Sequence, residues 1–230
     1  MNLFILDKVS TPTVISPTPG KTGLDRNLVV RAGLDLLNEV GLDAFTTRRL
    51  AERLGVRQPA IYWHFRNKRD LLDEMAVQML AEGRQPGQMT GETWRESLIQ
   101  DMRGFRHALL RYRDGARVHA GTRPGTLLYA SLELRTRAMC DAGFTPADAA
   151  RAFMVASHYV VGSVIEEQAA IHAERPPIAD DLFPDPVAQP TLAKAIDVLR
   201  HEDESKSFEF GLDALITGFA VLRSASFLPD

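Results

Sequence analysis

Cysteine is almost absent from this chain: Cys140 is the only one among 230 residues. No internal disulfide can form. In the middle of a helical pattern the side chain is expected to be buried as a small apolar group rather than to act as a nucleophile. No stretch approaches the roughly 18 uninterrupted apolar residues of a membrane span, and the start lacks the charged, apolar and small-residue succession of a secretory signal. A cytoplasmic protein with no membrane partner is expected. The β-branched alternation that marks strands is missing too, so the chain is read as all-α. Neither a nucleophile–base pair nor a metal-hydrolase spacing occurs, which leaves enzymatic activity without support.

What is present is charge unevenly spread. The chain carries a net −3 and 45% hydrophobic residues, enough for one large core or for a small domain beside a larger one. Between Thr47 and Arg69, however, seven cations (Arg48, Arg49, Arg53, Arg57, Arg66, Lys68 and Arg69) face a single acid, Glu52. A basic block inside a mildly acidic chain is the footprint of a phosphate-binding module attached to a body with another task.

The same stretch, TTRRLAERLGVRQPAIYWHFRNK over residues 46–68, has the anatomy of a DNA-reading helix-turn-helix. Thr46 or Thr47 can cap the first helix. With Thr46 as the cap, Phe45 and Leu50 occupy the two positions of a hydrophobic staple. Gly55 ends that helix and Val56 plugs the turn. The second helix starts at Gln58 or Pro59, proline being suited to the first helical position. Ile61 and Phe65, four apart, turn inward and leave Gln58, Ala60, Tyr62, Trp63, His64 and Lys68 on or near the outside. Exposed aromatics in a row do not belong on a merely solvated helix.

Residues 1–23, rich in proline and threonine with only Lys8 and Lys21 as cations, read as a flexible arm. Helical periodicity from Asp25 to Val40, stopped by Gly41, backs the reading pair. A connector starts at Asn67 or Lys68 and runs to about Gly83. Residues 24–83 thus read as a helix-turn-helix domain, and residues 84–230 as a larger helical body. In the latter, helices are expected over Trp94–Tyr112, Asp114–His119, Thr126–Asp141, from Thr145 or Pro146 to His172, over Leu192–His201 and over Ser207–Leu222. A loop with five prolines and four acids spans Glu174–Pro190. Gly211 and Gly218 on the last helix allow close helix approach, and with the apolar run Phe153–Ile165 that helix can build a four-helix bundle with a second copy.

These blocks resemble the TetR family of bacterial repressors, the tetracycline repressors in particular. The likeness runs from about Leu24 to Phe219 and is carried, in order, by LLNEVGLDAFTTRRLAERLGVRQPAIYWHFRNKRDLLD, GFRHALLRYRDGARVHAGTRP, HYVVGSVIEEQ and FGLDALITGF. It implies a homodimer on a palindromic double-stranded DNA operator, released by a small-molecule inducer. Arg48 and Gln58 would read base edges, Pro59, Tyr62 and Trp63 would supply apolar and backbone contacts, and Thr47, His64 and Lys68 would hold phosphates. Ala60 stands where the repressors usually carry threonine, which places the operator's identity apart.

For the inducer pocket, expected within residues 84–170, the resemblance implies His119 as a ligand to Mg2+ and Glu166, from the partner subunit, holding a water on that ion. Phe105, Thr122, Arg123 and Pro124 match as well. A hard cation prefers oxygen donors, so Mg2+ is expected only together with a chelating ligand, tetracycline-like or another polyketide. Asp101 and Arg135 stand where the repressors place an asparagine and a glutamine, Arg84 or a close neighbour replaces a histidine, and Arg200 replaces an acid. Two alternatives stay open: the same repressor with a metal-free hydrophobic inducer, or a small-molecule binding protein without DNA reading.

Overall fold

The computed structural model describes residues 24–83, 93–122, 126–172 and 183–225. The proposed arm over 1–23, together with Arg84, Arg123 and Pro124, lies outside the described residues. Among the described residues there are ten helices and no strand.

The Asp25 carboxylate accepts from the Leu28 amide at 2.8 Å and starts α1 (Arg26–Ala44). The helix is interrupted at Gly41, as expected, but a further turn follows to Ala44. Thr46 then caps α2 (Thr47–Leu54), its hydroxyl accepting from Arg49 N at 3.2 Å. Phe45 and Leu50 are both fully buried, as a staple requires. Gly55 ends α2 at φ 66, a left-handed conformation that a Cβ would disfavour. Pro59 occupies the first turn of the four-residue α3 (Pro59–Tyr62), and Asn67 caps α4 (Lys68–Gly83), accepting from Asp70 N at 2.9 Å.

These four helices close around Leu37, Leu50, Ile61, Phe65, Leu71 and Met75. Each such side chain, at most 1% exposed, contributes about 1.5–3 kcal/mol of transfer free energy. Val56 packs on the rim of this core.

A second core forms where α5 (Trp94–Leu110) and α10 (Glu204–Ala225) pack on α8 (Pro146–His172). The buried positions of α8 include Ala149, Ala152, Ala156, Val160 and Val164, spaced three and four apart. Their small size lets α5, α6 (Gly115–Ala120) and α7 (Thr126–Asp141) come close on several sides. Cys140 is half-buried against this core rather than enclosed in it, because the outer helix α7 has few helices around it. The last elements differ from expectation at their ends. α9 (Pro190–Leu199) begins two residues early because Pro190 serves as a first-turn proline, and α10 extends three residues beyond the expected span at each end.

The two cores are joined through α4 and α6. Leu80 of α4 belongs to the second core, while Tyr112 and Val118 belong to the first. Asp114 accepts from the Leu42 amide at 2.8 Å, and Arg117 pairs with both Asp114 and Asp43 at 3.0 and 2.7 Å. Gln168, 5% exposed, is satisfied by donating to the carbonyls of Leu109 and Tyr112 and accepting from Ala116 N.

Tyr112 donates to the Glu82 carboxylate at the end of α4. Burial, with that carboxylate beside it, pushes the phenol up to about 12 from 10.0. A folded-state value above the unfolded one means the contribution is complete below pH 10 and lost as pH rises toward 12. Thermal midpoints should therefore fall more steeply over that window in the wild type than in Tyr112→Phe; parallel curves would exclude the linkage.

Candidate functional site

Two sites emerge, one at each end of α4. In the first, α2 and α3 are locked to each other by side chains expected to face DNA. Thr47 is only 7% exposed; its hydroxyl accepts from Gln58 Nε2 at 2.8 Å and shares a hydrogen bond with Tyr62 Oη at 3.1 Å. Lys68 turns inward to donate to Phe45 O at 2.7 Å. Arg48 pairs with Glu52 at 3.0 Å with both side chains largely solvated, a contact worth at most a few tenths of a kcal/mol that a stronger partner can replace.

Gln58 and Pro59 are exposed, Ala60 and His64 half-exposed. Tyr62 and Trp63 stand out at 43% and 85% exposure. An indole left in water on a surface otherwise rich in arginine fits contact with sugars and thymine methyls, where an amphipathic ring has both an apolar and a polar neighbour.

The second site is a cavity of about 220 Å³. Its apolar half is built by Ala76, Val77 and Leu80 of α4, Met102 and Phe105 of α5, and Leu132 and Phe153. Its polar half comprises Asp73, Asp101, His119, Thr122, Arg135 and Ser157. The wall contributed by α4 lies outside the span expected from sequence, since apolar positions on a connector look the same whether they face a core or a cavity.

Asp101 and Arg135, expected as separate departures, are partners. Arg135 Nε contacts one carboxylate oxygen, its Nη2 reaches the other at 2.8 Å, and Nη1 contacts the Ser131 hydroxyl. Their side chains are 18% and 13% exposed, so the forked geometry offsets the desolvation that either charge alone would suffer.

His119 lies edge-on to Phe105, ring centroids 4.9 Å apart. Thr122 closes the last turn of α6, its hydroxyl donating to His119 O at 2.7 Å. Glu166 is exposed on α8, beside Tyr159, Ser163 and Glu167 and away from the cavity. Within one chain His119 and Glu166 are therefore not brought together. Among the described residues no group of three His, Cys, Asp or Glu side chains converges. One imidazole fits a hard cation only where a bound chelator supplies oxygens.

A helix-turn-helix head joined by a shared helix to a cavity-bearing helical body defines a one-chain, ligand-responsive DNA-binding regulator. Residues 29–75 match the family model "Bacterial regulatory proteins, tetR family", and residues 86–223 match "Tetracyclin repressor-like, C-terminal domain". The chain is 48% identical to the tetracycline repressor protein class G of Vibrio anguillarum over 214 residues, which cover 91% of this chain and 100% of that one. It superimposes on TetR from Acinetobacter baumannii AYE with a TM-score of 0.70 at 46% identity, covering 87% and 98% of the two chains. For TetR(class A) in complex with 5a,6-anhydrotetracycline and magnesium the values are 0.64, 42%, 84% and 96%. The chain belongs to the TetR family: it is a ligand-responsive repressor with a helix-turn-helix DNA-binding unit, similar to the tetracycline repressors, and that family consists of transcriptional regulators rather than enzymes.

Proposed function

We propose that this repressor binds a palindromic operator as a homodimer and is released by a small chelating inducer, tetracycline-like or another polyketide, taken up as its Mg2+ complex. The observation that carries the reading is the double role of α4. Lys68 at its start donates to Phe45 O at the entry to the reading pair, and Asp73, Ala76, Val77 and Leu80 further along form a wall of the cavity. A ligand that fits the cavity only after α4 shifts would also reposition the head and spoil its match to adjacent major grooves.

In this reading residues 24–83 read DNA, with Arg48 and Gln58 exchanging their internal partners for base edges, and residues 84–230 bind ligand and dimerise. The dimer reading is supported by apolar groups left on α8 and α10: Met154, Val155, Phe210 and Val221 are 53%, 40%, 81% and 64% exposed. Gly162 and Gly218 have open space where a Cβ would stand, whereas Gly211 is already approached by Tyr159 of the same chain. Two copies meeting on this face would form the four-helix bundle.

His119, with Glu166 reaching from the second copy through a water, would hold Mg2+, which supplies a charge-dense centre for the chelator's oxygens. The test is release of fluorescent operator DNA by tetracycline, with and without Mg2+, for wild type and His119→Ala. In the wild type Mg2+ should lower the inducer concentration needed. In His119→Ala that concentration should rise by more than the roughly 10–100-fold typical of losing an outer-shell metal partner. Induction unaffected by the substitution would instead favour a metal-free hydrophobic inducer.

A further inference from the structure

Six of the seven cations between Thr47 and Arg69 are committed inside the chain. Arg48 and Arg66 pair with Glu52 and Asp70, Arg53 with Glu39, and Arg69 with Asp73. Arg49 and Lys68 donate to the carbonyls of Ala44 and Phe45. Arg57 is exposed and, among the described residues, is the one cation of this segment without such a partner. No internal bond has to be broken before its guanidinium engages something else, so the cost of using it is the loss of its own rotamer freedom.

Its position is equally specific. The Arg57 carbonyl accepts from Ala60 N at 2.9 Å, closing the turn that opens α3 and bringing the backbone of residue 60 back beside that of residue 57. Ala60 carries only a methyl group there, leaving room in front of it for a long neighbouring side chain. The first residues of a reading helix are those that meet base edges in the major groove, and the planar fork of arginine matches guanine O6 and N7 in a bidentate pair.

We propose that Arg57 reads a guanine of the operator across the space that Ala60 leaves, and so sets sequence preference together with Gln58. This rests on the operator-binding reading above, and the experiment separates the two. Wild type, Arg57→Ala and Arg57→Lys each select binding sites from a random-sequence duplex pool, and affinities for the wild-type site are measured over a range of salt. Wild-type sites should contain a guanine at one symmetric position. Arg57→Ala should lose that position alone, with the others retained, and bind the wild-type site roughly 5- to 100-fold more weakly. Arg57→Lys should keep the wild-type salt dependence, its charge being intact, yet show a weaker guanine preference because an ammonium lacks the planar fork. Retention of the guanine by Arg57→Ala, or an equal loss of affinity on every sequence, would overturn the inference while leaving operator binding intact. Failure of the wild type to enrich any site would overturn both. An unchanged thermal midpoint for both variants is expected, since the wild-type side chain is exposed and makes no described contact.

Discussion

Gly115→Ala should be among the most damaging single substitutions in this protein. A Cβ at residue 115 would stand 2.3 Å from Leu109 O and 3.2 Å from its carbonyl carbon. The obstacle is backbone, not the flexible end of a side chain, and this turn cannot move alone. Gly115 N donates to Tyr112 O at 2.9 Å, and Gln168 holds the carbonyls of both Leu109 and Tyr112. The preceding Asp114 already sits at φ 57, a left-handed conformation uncommon for a residue with a Cβ, held there by its bonds to Leu42 N and Arg117.

Relief would require α6 to tilt away from α5, opening the wall of the second core. A cost of roughly 3 kcal/mol or more follows from overpacking of this kind, which for a chain of this size lowers the thermal midpoint by about 6–12 °C. Because α6 carries His119 into the cavity, inducer response should weaken in whatever fraction still folds. A midpoint within about 2 °C of the wild type would show that the α5–α6 turn is looser than these contacts imply.

That turn also shows where sequence reading stops. The reading head was legible because its determinants are local: Thr46 caps three residues ahead, Gly55 ends the helix it follows, and Ile61 and Phe65 are one turn apart. Helix spans in the body were legible for the same reason, and departed mainly at ends such as Pro190. What sequence did not disclose is pairing across distance. Asp101 and Arg135 lie 34 positions apart and look like two independent charges until α5 and α7 are placed side by side. Thr47, Gln58 and Tyr62 have the composition of three DNA contacts, yet the hydroxyl of Thr47 is turned inward and used by the other two. The α4 wall of the cavity was invisible because Ala76 and Leu80 satisfy helical periodicity equally well facing a core.

The Asp101–Arg135 pair yields the other large effect, and one with a distinctive sign pattern. Asp101→Ala strands a guanidinium that is 13% exposed, with the Ser131 hydroxyl as its remaining described contact. Arg135→Ala strands a carboxylate 18% exposed. Each should cost about 3 kcal/mol, since removing one member of a desolvated pair leaves an uncompensated charge. The double variant Asp101→Asn/Arg135→Gln removes both charges while keeping donors and acceptors in place, and should recover most of that loss.

Urea midpoints of the two alanine variants, the Asp101→Asn and Arg135→Gln singles and the double provide the measurement, with a coupling between the Asn and Gln changes of 1 kcal/mol or more expected for groups in direct contact. Additive effects would mean that the two charges are independently solvated and that the fork between them contributes nothing. The same variants bear on ligand choice. In the wild type a ligand group meets a donor fork and a carboxylate side by side, so a neutral group with adjacent acceptor and donor can satisfy both, whereas a group of either charge must separate the pair. The neutralised double variant should therefore relax discrimination among neutral inducers in the operator-release assay. If its selectivity matches the wild type while its stability is restored, the pair shapes the cavity without choosing what enters it.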